Sequence, residues 1–181
     1  MITWPLSTEL PDGYPHELQG DFVLSDGRRV WIRPILPTDA TDLAQAIADA
    51  DSETLLHRFF TGAPNLSEKQ IHYLSEVDYK RRLALVAADE EGRGVAVGRY
   101  ESHSEGGAAE VAIAVAPEWR SGGLATEILR RLEEPARVNG FTTLDAVYMP
   151  ENRPVARVFE HLGYSDQRIE DGVARVSKLL V

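Results

Sequence analysis

Cysteine is absent from the 181 residues, which excludes disulfides, thiolate metal sites and a cysteine nucleophile together. No apolar run approaches the roughly 20 residues of a membrane-crossing helix. The opening stretch MITWPLSTELPDGYPHELQG has neither the basic region nor the apolar centre of a secretory signal, so the expectation is a cytoplasmic protein without a membrane partner. Positive charge is also short: 19 basic against 29 acidic residues give a net charge of −10. That balance disfavours a nucleic-acid binder working by phosphate neutralisation; it suits cationic substrates, or simple solubility. Neither GxGxxG nor GxxxxGK[ST] occurs, which removes the main support for dinucleotide and P-loop readings. His16, His57, His72, His103 and His161 show no metal-ligand spacing, and no metal is expected.

What is present fits one globular domain. Hydrophobic content of 43% and charged content of 27% are ordinary, and the length is enough for a single core. Residues 1–20 carry Pro5, Pro11, Pro15, Gly13 and Gly20 and read as an extended arm, with Trp4, Leu6, Leu10 and Tyr14 available to pin it. The domain proper spans 21–181. FVLSDGRRVWIRPI reads as a hairpin about Asp26-Gly27. Pro37-Thr38-Asp39 offers an N-cap to ATDLAQAIADAD, a second helix is expected near Ser52 to Phe60, and Ser67 to Gln70 has the form of a capping box. LALVAADE (83–90), GVAVGRYESH (94–103) and AAEVAIAVAP (108–117) read as an antiparallel meander turning at Gly92 and at Gly106-Gly107. An amphipathic helix follows, bent at Pro135 and stopped at Gly140; then come a strand at 143–149, a helix at 152–163 and a closing strand pair. The fold class expected is α/β, a mixed sheet with helices on its faces.

The segment EVAIAVAPEWRSGGLATEIL joins an apolar strand to a helix through two glycines. Gly122 and Gly123 allow a sharp turn and close backbone approach, and the first amides of the helix have no intrahelical partner, which suits a phosphate or pyrophosphate. Arg120 to Ala125 resembles the [QR]-x-x-G-x-[GA] signature of the GNAT acyltransferases, and the order of elements from about residue 22 to 180 resembles theirs as well. His57-Arg58-Phe59-Phe60, LSEKQIHYLSEVDY (66–79), ALVA (84–87) and AEVA (109–112) are most similar to the catalytic domain of bacterial protein lysine acetyltransferases of the Pat type.

The resemblance implies a mostly antiparallel sheet of about seven strands with helices on both faces, and acetyl-CoA as co-substrate. It implies that Ile113, Ala114 and Val115 lie along the pantetheine arm, and that the amides of Ser121, Gly122, Gly123, Leu124 and Ala125 take the pyrophosphate, with Thr126 as a supplement. Arg120 is the first residue of the signature, and Asn152 matches an asparagine beside the pantetheine. An alkylammonium, with a pKa of about 10.4, must lose a proton before attack, and Glu110 matches the general base of several such enzymes. Where many relatives carry a tyrosine as proton donor to the departing sulfur, this chain has Phe159; Tyr164, Tyr148 and Tyr79 are other candidates, and so is unaided departure of the thiolate. Asp78 and Tyr79 fall in a region that shapes the acceptor pocket. The acceptor implied is a primary amine, a protein lysine first and a small amine second; a non-catalytic acyl-CoA sensor is the reading from another class.

Overall fold

The computed structural model describes residues 9–59, 66–102 and 107–180, apart from the side chains of Leu56 and Phe59. Trp4, Leu6, Phe60, His103 and Gly106 therefore lie outside the described residues. Among the described residues eight strands, rather than about seven, form one sheet: β1 (Gly20–Val23), β2 (Arg29–Pro34), β3 (Arg82–Ala88), β4 (Gly94–Ser102), β5 (Ala108–Val115), β6 (Thr143–Tyr148), β7 (Ser165–Glu170) and β8 (Val173–Leu179). Their spatial order is β1-β2-β3-β4-β5-β6-β8-β7. Every neighbouring pair is antiparallel except β5 and β6, which are joined by a helical crossover and run parallel.

Among the described residues five α-helices accompany the sheet: α1 (Ala40–Asp49), α2 (Ser52–Phe59), α3 (Glu68–Ser75), α4 (Leu124–Val138) and α5 (Arg153–His161). The alternation of strand side chains divides the sheet into two covered faces. On one, Ile32, Leu83, Leu85, Tyr100, Val111, Leu144 and Ala146 form a core with Leu124, Ile128, Leu129, Leu132 and Ala136 of α4. On the other, Ile35, Ala84 and Val86 meet Leu43 of α1 together with Val77 and Val97. α4 lies so close to β4 that a Cβ built on Gly98 would stand 2.4 Å from the Ile128 Cγ2 atom. Only glycine permits that approach.

Local signals explain most boundaries. The capping box of α3 forms, with Ser67 N–H donating to Gln70 Oε1 at 2.8 Å and Gln70 N–H to Ser67 Oγ at 3.4 Å. α4 continues through Pro135, where only the final turn loses an amide, and it closes with Gly140 at φ +89°. Asp39 precedes α1 but makes no side-chain cap. Its carboxylate instead takes two 2.7 Å hydrogen bonds from Arg33 and one of 2.8 Å from the Leu36 amide. Arg33 is fully buried, and a guanidinium without water needs a carboxylate more than a helix end needs a cap. The described part of the arm packs down: Tyr14 is buried, donates to the Pro34 carbonyl at 3.3 Å and meets the Tyr79 ring edge-on.

Candidate functional site

β5 pairs with β6 only from Ala108↔Thr143 to Val111↔Ala146, although β5 runs on to Val115 and β6 to Tyr148. Beyond Val111 the two strands part. The bond from the Ala116 amide to the Val95 carbonyl, 2.9 Å, sets the phase of the antiparallel ladder on the other side. Ala112 and Ala114 therefore turn their peptide groups to β4, while Ile113 and Val115 turn theirs into the gap. A gap edged by amide and carbonyl groups is a place where an extended, amide-bearing ligand adds as a further strand. The Val115 carbonyl is already used, receiving Arg120 Nε at 3.2 Å.

The gap leads to the glycine loop. Pro117–Trp119 form a single tight turn, Ser121 has φ +64°, and Gly123 has φ +89° and stands as the N-cap of α4 with no side chain capping it. The amides of Leu124, Ala125 and Thr126 at the head of this 15-residue helix are thus open to an anion. Close packing fixes the loop: Gly122 accepts from the Ser25 amide at 3.2 Å, and a Cβ on it would lie 2.5 Å from Leu24 Cδ2. Arg28, stacked 4.3 Å over the Trp119 ring, donates to the Glu118 carbonyl at 2.9 Å and holds the turn from the β1–β2 side. Asn152 follows β6 across the gap. Its Oδ1 caps α5 by accepting the Val155 amide at 3.3 Å, which leaves its amide hydrogens for another acceptor.

The structure assigns some of the expected residues to other work. Arg120 turns its guanidinium inward, giving Nη2 to Thr54 Oγ1 at 2.7 Å, and so ties α2 to the end of β5, while its backbone amide donates to the Pro117 carbonyl at 3.3 Å. Two further basic residues, on α4, are also committed: Arg131 donates to Glu127 and to the carbonyls of Gly20 and Asp21, binding α4 to β1, while Arg130 pairs with Glu127. Tyr79 is buried, adopts φ +57° and donates to the Ile35 carbonyl at 2.8 Å. Asp78 is exposed and accepts the amides of Lys80 (3.0 Å) and Arg82 (2.9 Å), closing the turn into β3. This pair, expected to shape an acceptor pocket, builds a turn and a core contact. Phe159 is buried against Tyr148 and Tyr164, and burial raises the pKa of the Tyr164 hydroxyl.

Glu110 lies in the paired part of β5, directly between Glu101 of β4 and Asp145 of β6. Three carboxylates therefore stand in a row across one face. Asp145 is held by Ser177 Oγ at 2.6 Å, and Glu101 by the Tyr73 hydroxyl. Arg58 of α2 reaches this face: burial pulls its pKa down, while the charges of Glu110 and Glu101 oppose that shift. Between α1, α2 and this face of β3–β5 lies a cavity of ≈ 500 Å³, bordered by Leu43, Leu55, Leu74, Val97, Arg99 and Ala114. Arg58 and Arg99 were not singled out as site residues from the sequence. The one available signal for Arg99 was a basic residue inside the apolar run GVAVGRY.

A strand splayed from its parallel neighbour, with open helix amides at its end, defines a class of protein that holds an anionic, amide-bearing acyl carrier. The Acetyltransferase (GNAT) domain model matches residues 29–165. An acetyltransferase of Pseudomonas aeruginosa is 32% identical over 156 residues, covering 84% of each chain. The crystal structure of the GNAT domain of S. lividans PAT is similar with a TM-score of 0.84 and 32% identity, over 92% of this chain and 99% of that one. Acetyltransferase Pat of Mycolicibacterium smegmatis is 26% identical over 140 residues, which are 76% of this chain but 41% of that longer protein. The yncA structure of Salmonella typhimurium, which holds its cofactor acetyl-CoA, shares the fold with a TM-score of 0.70 and 18% identity over 84% of this chain and 94% of that one. The chain belongs to the GNAT family of acetyltransferases and uses acetyl-CoA as acyl donor. Among the described residues no cluster of His, Asp and Glu could hold a metal ion, and no helix is long and apolar enough to cross a membrane.

Proposed function

We propose that the chain transfers an acetyl group to a primary amine, with Glu110 as general base. The observation that carries this reading is the run of open backbone groups from Ile113 and Val115, across the gap, to the amides of 121–125 at the head of α4. This run fits a pantetheine arm followed by a pyrophosphate, with Asn152 on the opposite bank. When bound, acetyl-CoA supplies a thioester carbonyl for attack. Glu110 takes the proton of the ammonium, directly or through a water, and frees the nitrogen lone pair. As the N–C bond forms, the Val115 amide is positioned toward the developing oxyanion. The C–S bond then breaks, and the thiolate leaves unaided or takes a proton from water, since Phe159 has none to give.

The resemblance to Pat-type domains supports a protein lysine as acceptor, and the carboxylate row of Glu101, Glu110 and Asp145 favours a cationic group. One observation favours a second reading, a small amine: the ≈ 500 Å³ cavity on the same face is of the size that holds small ligands. Incubation with labelled acetyl-CoA and panels of amines, lysine peptides and cell lysate tests both. Label in protein bands supports the first, and a small labelled product the second. Binding of coenzyme A without turnover on any amine would refute acetyl transfer.

A further inference from the structure

Arg99 stands in the middle of β4, flanked across the sheet by Ala84 of β3 and Ala112 of β5. Its long side chain therefore lies over small residues, and the residue is only 7% exposed. Among the described residues its one hydrogen-bond acceptor is the Leu74 carbonyl, 2.9 Å from Nη2. A guanidinium has five N–H donors, so among the described residues most of its capacity is unspent. Among the described residues no side-chain nitrogen of Arg99 is both fully buried and without a hydrogen-bond partner. The open space that Arg99 borders is the cavity under α1 and α2.

The local charge balance leaves positive charge in excess. Arg58, Arg82 and Arg99 influence one another here, against the carboxylates of Glu101 and Glu110. Glu110 and Glu101 act on Arg58, Glu101 acts on Arg99 as well, and Arg82 is committed to the carbonyls of Tyr73 and Glu76. Burial, followed by repulsion from Arg58, lowers the pKa of Arg99 to about 10. A buried guanidinium with one hydrogen-bond acceptor, and with the Glu101 charge shared with Arg58, is costly, and a carboxylate laid against its fork would repay the desolvation.

We propose that this cavity is the acceptor site and that Arg99 is its anion subsite, selecting small amines that carry a carboxylate near the amine. The inference rests on the small-amine form of acetyl transfer. The spacing is set by the sheet: Ala112 lies beside Arg99, and Glu110 is the next residue of β5 on the same face, about 7 Å along the strand. Arg99 borders the cavity and Glu110 lies just outside its lining, so an acceptor whose carboxylate rests on Arg99 extends its amine past the edge of the cavity toward Glu110. The exposed charged residues on the rim, Asp42, Asp49, Asp51 and Glu118, are all acidic, so a plain anion is repelled while a zwitterion carries its own compensating charge.

The test compares kcat/KM for amino acids with that for their methyl esters and decarboxylated amines, in the parent, Arg99→Gln and Arg99→Lys. The parent should prefer the free carboxylate by roughly 10- to 100-fold, the range of a charge-assisted contact. Arg99→Gln should erase the preference by raising KM with little change in kcat and unchanged coenzyme A affinity, and Arg99→Lys should restore part of it. Equal rates for acid and ester in the parent overturn the subsite, whatever the fate of the variants. Calorimetry with an N-acetyl amino acid in the presence of coenzyme A separates the two layers of the argument. Product binding that Arg99→Gln abolishes supports the subsite even if no amine is acetylated, whereas no binding, or binding that survives Arg99→Gln, refutes it.

Discussion

Replacing Gly98 by alanine tests whether α4 and the sheet are packed as tightly as the cofactor loop requires. The new methyl carbon would stand 2.4 Å from Ile128 Cγ2 and 3.0 Å from Ile113 Cδ1, where non-bonded carbons prefer about 3.5–4.0 Å. The Ile113 contact is the far end of a flexible chain, but Ile128 is fully buried and can yield only by moving α4. Overpacking of this kind costs about 1–3 kcal/mol. Ile128→Ala alone opens a cavity and costs about 2–5 kcal/mol. In the double variant the clash is gone, because the Ile128 Cβ atom lies at an ordinary 3.6 Å from the added carbon. Urea unfolding of all four proteins should therefore show the double variant more stable than additivity allows, by about 1–3 kcal/mol. Gly98→Ala should also weaken coenzyme A binding, since Ile128 lies one turn from the open amides at Leu124 and Ala125. Additivity within about 0.5 kcal/mol, or an unchanged stability of Gly98→Ala, would refute the packing argument.

Gly123→Asp should abolish coenzyme A binding in calorimetry while the protein still melts cooperatively. Space is not the obstacle, with Phe22 Cζ at 3.6 Å; the φ of +89° and a carboxylate at the anion cradle are. Asp39→Ala strips the buried Arg33 of its carboxylate and should cost about 3–5 kcal/mol in chemical denaturation; a loss under about 1 kcal/mol would contradict that role. Burial raises the pKa of Asp89, but the amides of Arg93 and Glu91 and the Arg93 guanidinium outweigh it and hold the carboxyl below its usual value. A depressed folded-state pKa gives stability that is present above about pH 4 and lost as pH falls through the folded value. Asp89→Asn should accordingly flatten the acid limb of the stability profile, and an unaltered limb would count against it.

Signals that act within a few residues were legible in the chain. The Asp26-Gly27 hairpin, the Ser67–Gln70 capping box and the glycine stop at Gly140 all depend on local geometry, and each takes its expected place. The strand, loop and helix start of 108–125 were likewise readable, because a period of two gives way to a period near four across two glycines. What stayed hidden depends on strands distant in sequence. Divergence of β5 from β6 follows from a parallel register set only when α4 has crossed over. Alternation says that Arg99 and Tyr100 face opposite ways but not which helix covers each. Tyr79 and Arg120 carry polar groups that look outward in a sequence and turn inward once Ile35 and Val115 offer carbonyls. Asp39 read as a cap because its pairing with Arg33 needs β2 and α1 to be placed first.

The measurement that bears most directly on the account is the pH–rate profile of acetyl transfer for Glu110→Gln, taken with its coenzyme A affinity. Glu110 sits on the paired half of β5, outside the splayed segment, so cofactor affinity should match the parent. Loss of a general base removes about 10²- to 10⁴-fold at neutral pH. The deficit should narrow as pH rises toward the amine pKa of about 10.4, where the acceptor deprotonates unaided. A variant whose profile has the parent's shape and height would show that the proton leaves by another route and that Glu110 is not the base.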